Sequence, residues 1–235
     1  MAGTVLIVEN SPSDPPGRLG EWLAAAGLEP DVIRPHVGDP LPAGVDGHDA
    51  LVMLGGEMGV YDDVPWLEPA KALLREAVGT GQPVLAICLG AQLLADALGG
   101  RVEIAAAEGP EIGPALVAKR DHAVHDALFG PMPLAPDVLQ WHYDSISELP
   151  PGSMLLASST RYTNQAFRVG ERAWGLQFHI ETTPEMVRGW ARSDGLDDDS
   201  PAVRRLLSYS DAVHDDLEQV WRPFTERFAK FALAG

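Results

Sequence analysis

The chain has 235 residues, 46% of them hydrophobic, enough for one large globular domain and with no sign of disorder or a fibrous repeat. A formal net charge of −17, with no cluster of Lys and Arg, opposes phosphate-backbone contact, so nucleic acid is not an expected partner. The single cysteine excludes an intrachain disulfide and fits a reducing, cytoplasmic compartment, and no stretch approaches the roughly 20 uninterrupted apolar residues that a membrane helix needs.

The start, Met1-Ala2-Gly3-Thr4, runs directly into Val5-Leu6-Ile7-Val8 without a basic or long apolar leader, so no export signal is expected. Val5 to Val8 reads as the first strand. Leu19, Trp22, Leu23 and Ala26 recur at helical spacing and Gly27 stops them; Asp31 to Arg34 and Ala50 to Leu54 read as strands, and Trp66 to Val78 as a second helix. After Gly81-Gln82-Pro83, the uniformly apolar Val84-Leu85-Ala86-Ile87 predicts a buried central strand ending at Cys88, followed by a helix from Gly90 to Leu98 closed by Gly99-Gly100. Short apolar runs alternating with helical patterns are the mark of βαβ units and a mainly parallel sheet.

The second half is richer in strands, predicted at Val102 to Ala105, Ala115 to Ala118, Val138 to His142, Met154 to Ala157, Gln165 to Val169 and Ala173 to His179. From Thr183 the pattern turns helical through Met186, Val187 and Trp190. It then crosses Asp197-Asp198-Asp199, a solvated loop to which we assign no chemistry, and ends in an amphipathic helix from about Asp211 to Phe231. His122 and His125 belong to no motif and are expected on a helix surface.

Cys88 stands at a strand-to-helix turn within Ala86-Ile87-Cys88-Leu89-Gly90-Ala91-Gln92. Such an elbow projects its side chain from the carboxyl edge of the sheet, and small neighbours let the helix pack close. The helix N-terminus favours negative charge there and offers free backbone N–H groups. A lone cysteine after an apolar strand is more often structural, so other residues must decide. In Trp174-Gly175-Leu176-Gln177-Phe178-His179-Ile180-Glu181, strand alternation puts His179 and Glu181 on one side and Phe178 and Ile180 on the other. A base and its orienting carboxylate thus share one strand end, the remaining members of a Cys-His-Glu triad. A third segment, Leu54-Gly55-Gly56-Glu57-Met58-Gly59, follows a strand and lets backbone N–H groups at Gly55 and Gly56 approach a substrate carbonyl.

Cys-Leu-Gly-Ala-Gln near the middle of the chain, with Gln-Phe-His-x-Glu 91 residues later and the Gly-Gly loop before both, resembles the class I glutamine amidotransferase family. Tyr61-Asp62-Asp63 adds a likeness to its stand-alone, guanylate-synthase-like members. The resemblance implies a flavodoxin-like α/β three-layer sandwich around a mainly parallel sheet. It also implies one domain over residues 1–235, with a core at about 4–190 and a C-terminal helical extension at about 200–233. By the same resemblance, Cys88 is the nucleophile, His179 and Glu181 complete the triad, and Gly56 and Leu89 N–H groups form the oxyanion hole. Gln92 would contact the γ-glutamyl group, and Tyr143 and Asp144, in Gln140-Trp141-His142-Tyr143-Asp144-Ser145, would line the glutamine pocket. No cofactor and no metal are expected.

Three residues depart from the family pattern: Ala86 for Gly, Glu57 for Pro, and Ile180 for the Pro of His-Pro-Glu. Ala86 and Ile180 are harmless, whereas a carboxylate at Glu57 would repel a glutamate-like substrate or select a cationic one. The expected reaction is Cys88-dependent hydrolysis of glutamine or a γ-glutamyl amide, releasing ammonia or an amine. No Gly-rich ATP loop of the Ser-Gly-Gly-x-Asp-Ser type is present, so any synthetase receiving the ammonia would be a separate subunit. The competing expectations are a non-catalytic or partner-activated γ-glutamyl-binding module and a redox-sensing thiol. The latter has no need of His179 and Glu181 on one face.

Overall fold

The computed structural model describes residues 3–197 and 199–235; Met1, Ala2 and the middle carboxylate of the acidic run, Asp198, lie outside the described residues. The chain opens as a strand-helix alternation: β1 (Gly3–Val8), α1 (Gly17–Ala25), β2 (Leu28–Ile33), β3 (Ala50–Met53), α2 (Leu67–Gly79), β4 (Val84–Ile87) and α3 (Leu89–Ala97). Strands β5 (Arg101–Glu103), β6 (Glu111–Leu116), β7 (Ala118–Lys119), β8 (Asp137–His142), β9 (Ser145–Glu148), β10 (Met154–Ser158), β11 (Ala166–Val169) and β12 (Ala173–Leu176) follow, then α4 (Pro184–Ser193) and α5 (Pro201–Leu233).

Eight strands form one sheet in the order β2-β1-β3-β4-β12-β11-β10-β7. The first five run parallel and the last three antiparallel. Alternation along each parallel strand divides the core. Val5, Ile7, Val52, Leu85, Ile87, Trp174 and Leu176 face α1, α4 and α5, while Leu6, Val8, Leu51, Met53, Val84, Ala86 and Ala173 face α2 and α3. A three-layer α/β sandwich results, with β4 central and buried on both faces.

Several boundaries differ from expectation. The strand expected at 115–118 is two: β6, paired along β8, and the short β7 on the main sheet. β9 had no clear pattern, because it is a four-residue edge partner of β5 with half its residues exposed. The last helix starts at Pro201, ten residues before the expected Asp211, since its first three turns are mostly exposed and carry little apolar periodicity. It then buries Val213, Leu217, Trp221, Phe224 and Phe228 in the core. β12 ends at Leu176, so His179 lies beyond the strand; its backbone instead bridges Leu139 of β8, with N–O distances of 2.8 and 3.3 Å. His122 and His125 lie on a 3-10 turn (Asp121–His125) and are exposed, and Asp197 accepts from the N–H of Asp199 at 3.0 Å.

Candidate active site

Cys88 is held between β4 and α3 with φ 50° and ψ −111°, a backbone state that L side chains avoid and that turns the thiol outward at the carboxyl edge of the sheet. The helix can follow so sharply only because position 90 lacks a Cβ, which would fall 2.1 Å from the Met53 carbonyl oxygen. Cys88 is the one cysteine of the chain and is largely buried; its Sγ has the Trp141 carbonyl and the Gln177 amide nitrogen each at 3.9 Å.

The segment past β12 keeps strand-like alternation. Phe178 and Ile180 enter the core, Phe178 at 5.3 Å from the Trp221 ring, and His179 and Glu181 turn the other way. His179 Nδ1 meets Glu181 Oε1 at 2.6 Å, and Glu181 Oε2 accepts the Ile180 N–H at 2.8 Å. Both carboxylate oxygens are thus engaged in orienting the ring, leaving Nε2 as its free nitrogen. Burial pushes the imidazolium down, but charge and hydrogen bonding from Glu181 and Cys88 outweigh that and hold the His179 pKa well above the ordinary value. Trp190 of α4 flanks the imidazole, ring centroids 4.6 Å apart.

The Gly-Gly loop closes the other side. An added Cβ at Gly56 would lie 3.0 Å from Leu89 Cδ2, so the two segments are in contact. Among the described residues, neither the Gly56 nor the Leu89 N–H donates to a protein acceptor. Gln92 is buried and donates to the Asp144 carbonyl and to Gln177 Oε1, both at 3.3 Å. Tyr143 donates to Asp194 Oδ2 at 2.7 Å, and burial together with that carboxylate pushes its phenol up to about 12. Asp144 accepts from the Ala105 N–H at 2.8 Å and from the Tyr61 hydroxyl, tying the 142–145 turn to the segment that follows the Gly-Gly loop.

Cys88, His179, Gly56, Gln92, Tyr143 and Asp144 line one cavity of about 620 Å³; Glu181, Gly55 and Leu89 sit behind its wall. Residues that sequence reasoning missed complete the site. Gln177 shares the His179 face at i−2, so alternation alone pointed to it. Ser11, Ser13, Asp14 and Trp190 carried no signal, because a loop and a helix far apart in sequence bring them there. Glu57 accepts the Ser11 hydroxyl at 2.5 Å, and the Ser13 hydroxyl oxygen lies 3.2 Å from the same carboxylate. Among the described residues, ligand-type atoms of Asp14, His179 and Glu181 converge within 4.8 Å. Glu181 and His179 Nδ1 already spend theirs on each other, so the set suits a base flanked by carboxylates better than a metal.

A family model described as "Glutamine amidotransferase class-I" matches residues 22–188, more than half of the chain. The GMP synthase [glutamine-hydrolyzing] of Thermomicrobium roseum is 41% identical over 133 residues, 56% of this chain but 23% of its own length; the chain spans about a quarter of the GMP synthases it matches. The glutamine amidotransferase-like protein YfeJ of Salmonella typhimurium is 28% identical over 72% of each chain. Among solved structures, the glutamine amido transferase of Methylobacillus flagellatus superposes with TM-score 0.83 at 31% identity, covering 100% of this chain and 95% of that one. A glutamine amidotransferase of Thermotoga maritima gives 0.86 at 29% identity, covering 98% and 99%. Sequence and fold agree, and the chain belongs to the class I glutamine amidotransferase family.

Proposed function

We propose that the chain hydrolyses the side-chain amide of glutamine or of a related γ-glutamyl compound through a γ-glutamyl thioester on Cys88. With the thiol proton already held on His179, Sγ attacks the carbonyl carbon, and the oxyanion is received by the N–H groups of Gly56 and Leu89. The imidazolium, oriented by Glu181, then protonates the departing ammonia or amine. A water that returns its proton to His179 opens the thioester, releasing the γ-carboxylate and the free thiol. Gln92, Tyr143 and Asp144 frame the γ-glutamyl group. The observation that carries this reading is the pairing of a strained elbow cysteine with an imidazole whose other nitrogen is fixed by a buried carboxylate.

The test is ammonia release from glutamine by the purified chain beside Cys88→Ala. Release by the parent and none by the variant is expected; equal release by both would sink the proposal. Binding of γ-glutamyl ligands without product in either form would favour the non-catalytic module.

A second reading, in which the leaving group is a cationic amine, is favoured by the lining of the cavity: five carboxylates, Asp14, Glu57, Asp62, Asp144 and Asp194, and no Lys or Arg. A panel of γ-glutamyl amides of neutral and diamine leaving groups separates the two. Where glutamine is the substrate, a separate synthetase subunit would receive the ammonia, since the sequence holds no Ser-Gly-Gly-x-Asp-Ser loop of its own. Among the described residues no helix is long and apolar enough to cross a membrane. The single cysteine of the chain supports a reducing, cytoplasmic compartment.

A further inference from the structure

The proposed reaction uses one carboxylate on His179, and the structure supplies two. Asp14, on the loop between β1 and α1, is buried against the triad, with a carboxylate oxygen, a His179 ring nitrogen and a Glu181 oxygen all within 4.8 Å of one another. The approach runs over the bare Cα of Gly55: a Cβ there would fall 2.6 Å from Asp14 Oδ1 and 3.2 Å from His179 Cε1. Asp14 Oδ2 is held by the Ser13 hydroxyl. The Ser13 carbonyl in turn accepts the indole N–H of Trp190 at 2.9 Å, the same ring that flanks His179. One aromatic therefore locks the loop and the imidazole in register.

We propose that Asp14 is a positioning residue: with Glu181 it brackets the imidazole and favours His179 in its protonated form beside Cys88. This rests on the amidohydrolase reading for its purpose. The charged and titratable groups facing Asp14 are His179 and Glu181 on the segment after β12 and Glu57 on the loop after β3; Cys88 faces the imidazole from the β4–α3 turn. Among the described residues no Lys or Arg lines the cavity, and His179 is the cation that faces Asp14. Burial raises the Asp14 pKa to about 6, with His179 and the Ser13 hydrogen bond opposing and Glu181 and Glu57 reinforcing the rise. By reciprocity, an ionised Asp14 raises the pKa of His179.

Because Cys88 is the sole thiol, alkylation of the full chain by iodoacetamide reads this site alone and needs no substrate. Its rate between about pH 5 and about pH 10 should show one inflection near 6 from Asp14 and a second, alkaline one from His179. Asp14→Asn should lose the first and move the second down by about one pH unit. Asp14→Glu, which keeps the charge on a longer arm, should retain the first inflection at a displaced pH. Near-UV circular dichroism checks folding, and if the Asn variant does not fold the Glu variant carries the test. An Asn profile superimposable on the parent, or an unmoved inflection in the Glu variant, overturns the proposal. An Asp14-dependent profile in a protein that releases nothing from any γ-glutamyl amide would overturn the hydrolase reading and leave the bracketing of His179 standing.

Discussion

At the scale of single residues, the structure surrounds the groups proposed to react with groups that hold them. Glu181 is fully buried with both oxygens engaged, one on His179 and one on the Ile180 N–H. Glu181→Gln should keep the fold and lower kcat far more than it raises KM, because ring orientation matters to bond making more than to binding; steady-state kinetics would show the split. Asp14 makes a second prediction, on stability. Its pKa rises from 3.8 unfolded to about 6 folded, so the native state holds a proton that the unfolded chain releases between those values. Stability from this group is thus fully present below pH 3.8 and declines as pH rises through about 6. Relative to the parent, Asp14→Asn should gain up to about 3 kcal/mol between pH 4 and pH 8, read by urea melts at both. An equal difference at the two values would refute it. Of these residues, the turn at Cys88 was legible from the strand-to-helix pattern and the pairing of His179 with Glu181 from alternation. Asp14 was not, since a loop aspartate between two prolines advertises no partner until β3 and the 177–181 segment close around it.

At the scale of elements, the elbow shows how backbone space controls chemistry. Gly90 lies against the Met53 and Leu54 carbonyls, which cannot yield as a side chain can. Gly90→Ala should push α3 off β3, cost about 1–3 kcal/mol and displace Cys88, removing turnover before global unfolding; a folded, fully active variant would contradict this. A similar seat supports Glu181 from below. Gly17, at φ 46°, has the Glu181 carbonyl 2.2 Å from where its Cβ would be, and the Arg18 N–H donates to that carbonyl at 2.9 Å. The start of α1 thereby braces the residue that braces His179. The parallel strands were readable because double burial writes continuous apolar runs, as in Val84–Ile87. β9 and the first turns of α5 were not, because exposed short strands and polar helix turns share one composition.

At the scale of the whole molecule, α5 is a working part of the core. Trp221 is fully buried, packs against Phe129, Phe178 and Phe224, and donates its indole N–H to the Asp137 carbonyl at 2.8 Å. Phe178 immediately precedes His179, so the helix reaches the site through one aromatic contact. Trp221→Ala should cost about 3–5 kcal/mol, measurable as a lowered urea midpoint, and loss of stability without any loss of activity would show that this contact does not steady the site. The sandwich as a whole was foreseen from the βαβ rhythm and the family likeness, whereas the routing of β6 and β8 into a separate ribbon depended on pairings between distant segments that no local pattern encodes.

Trp190 and Trp141 both line the cavity, their rings 5.7 Å apart, and the first lies 4.6 Å from the imidazole of His179. An indole this close to a histidine loses emission when the ring gains a proton, and changes colour when a bound molecule expels water from its surface. The emission of these two indoles should therefore report the protonation of His179 and the filling of the cavity, over the background of the chain's four other tryptophans.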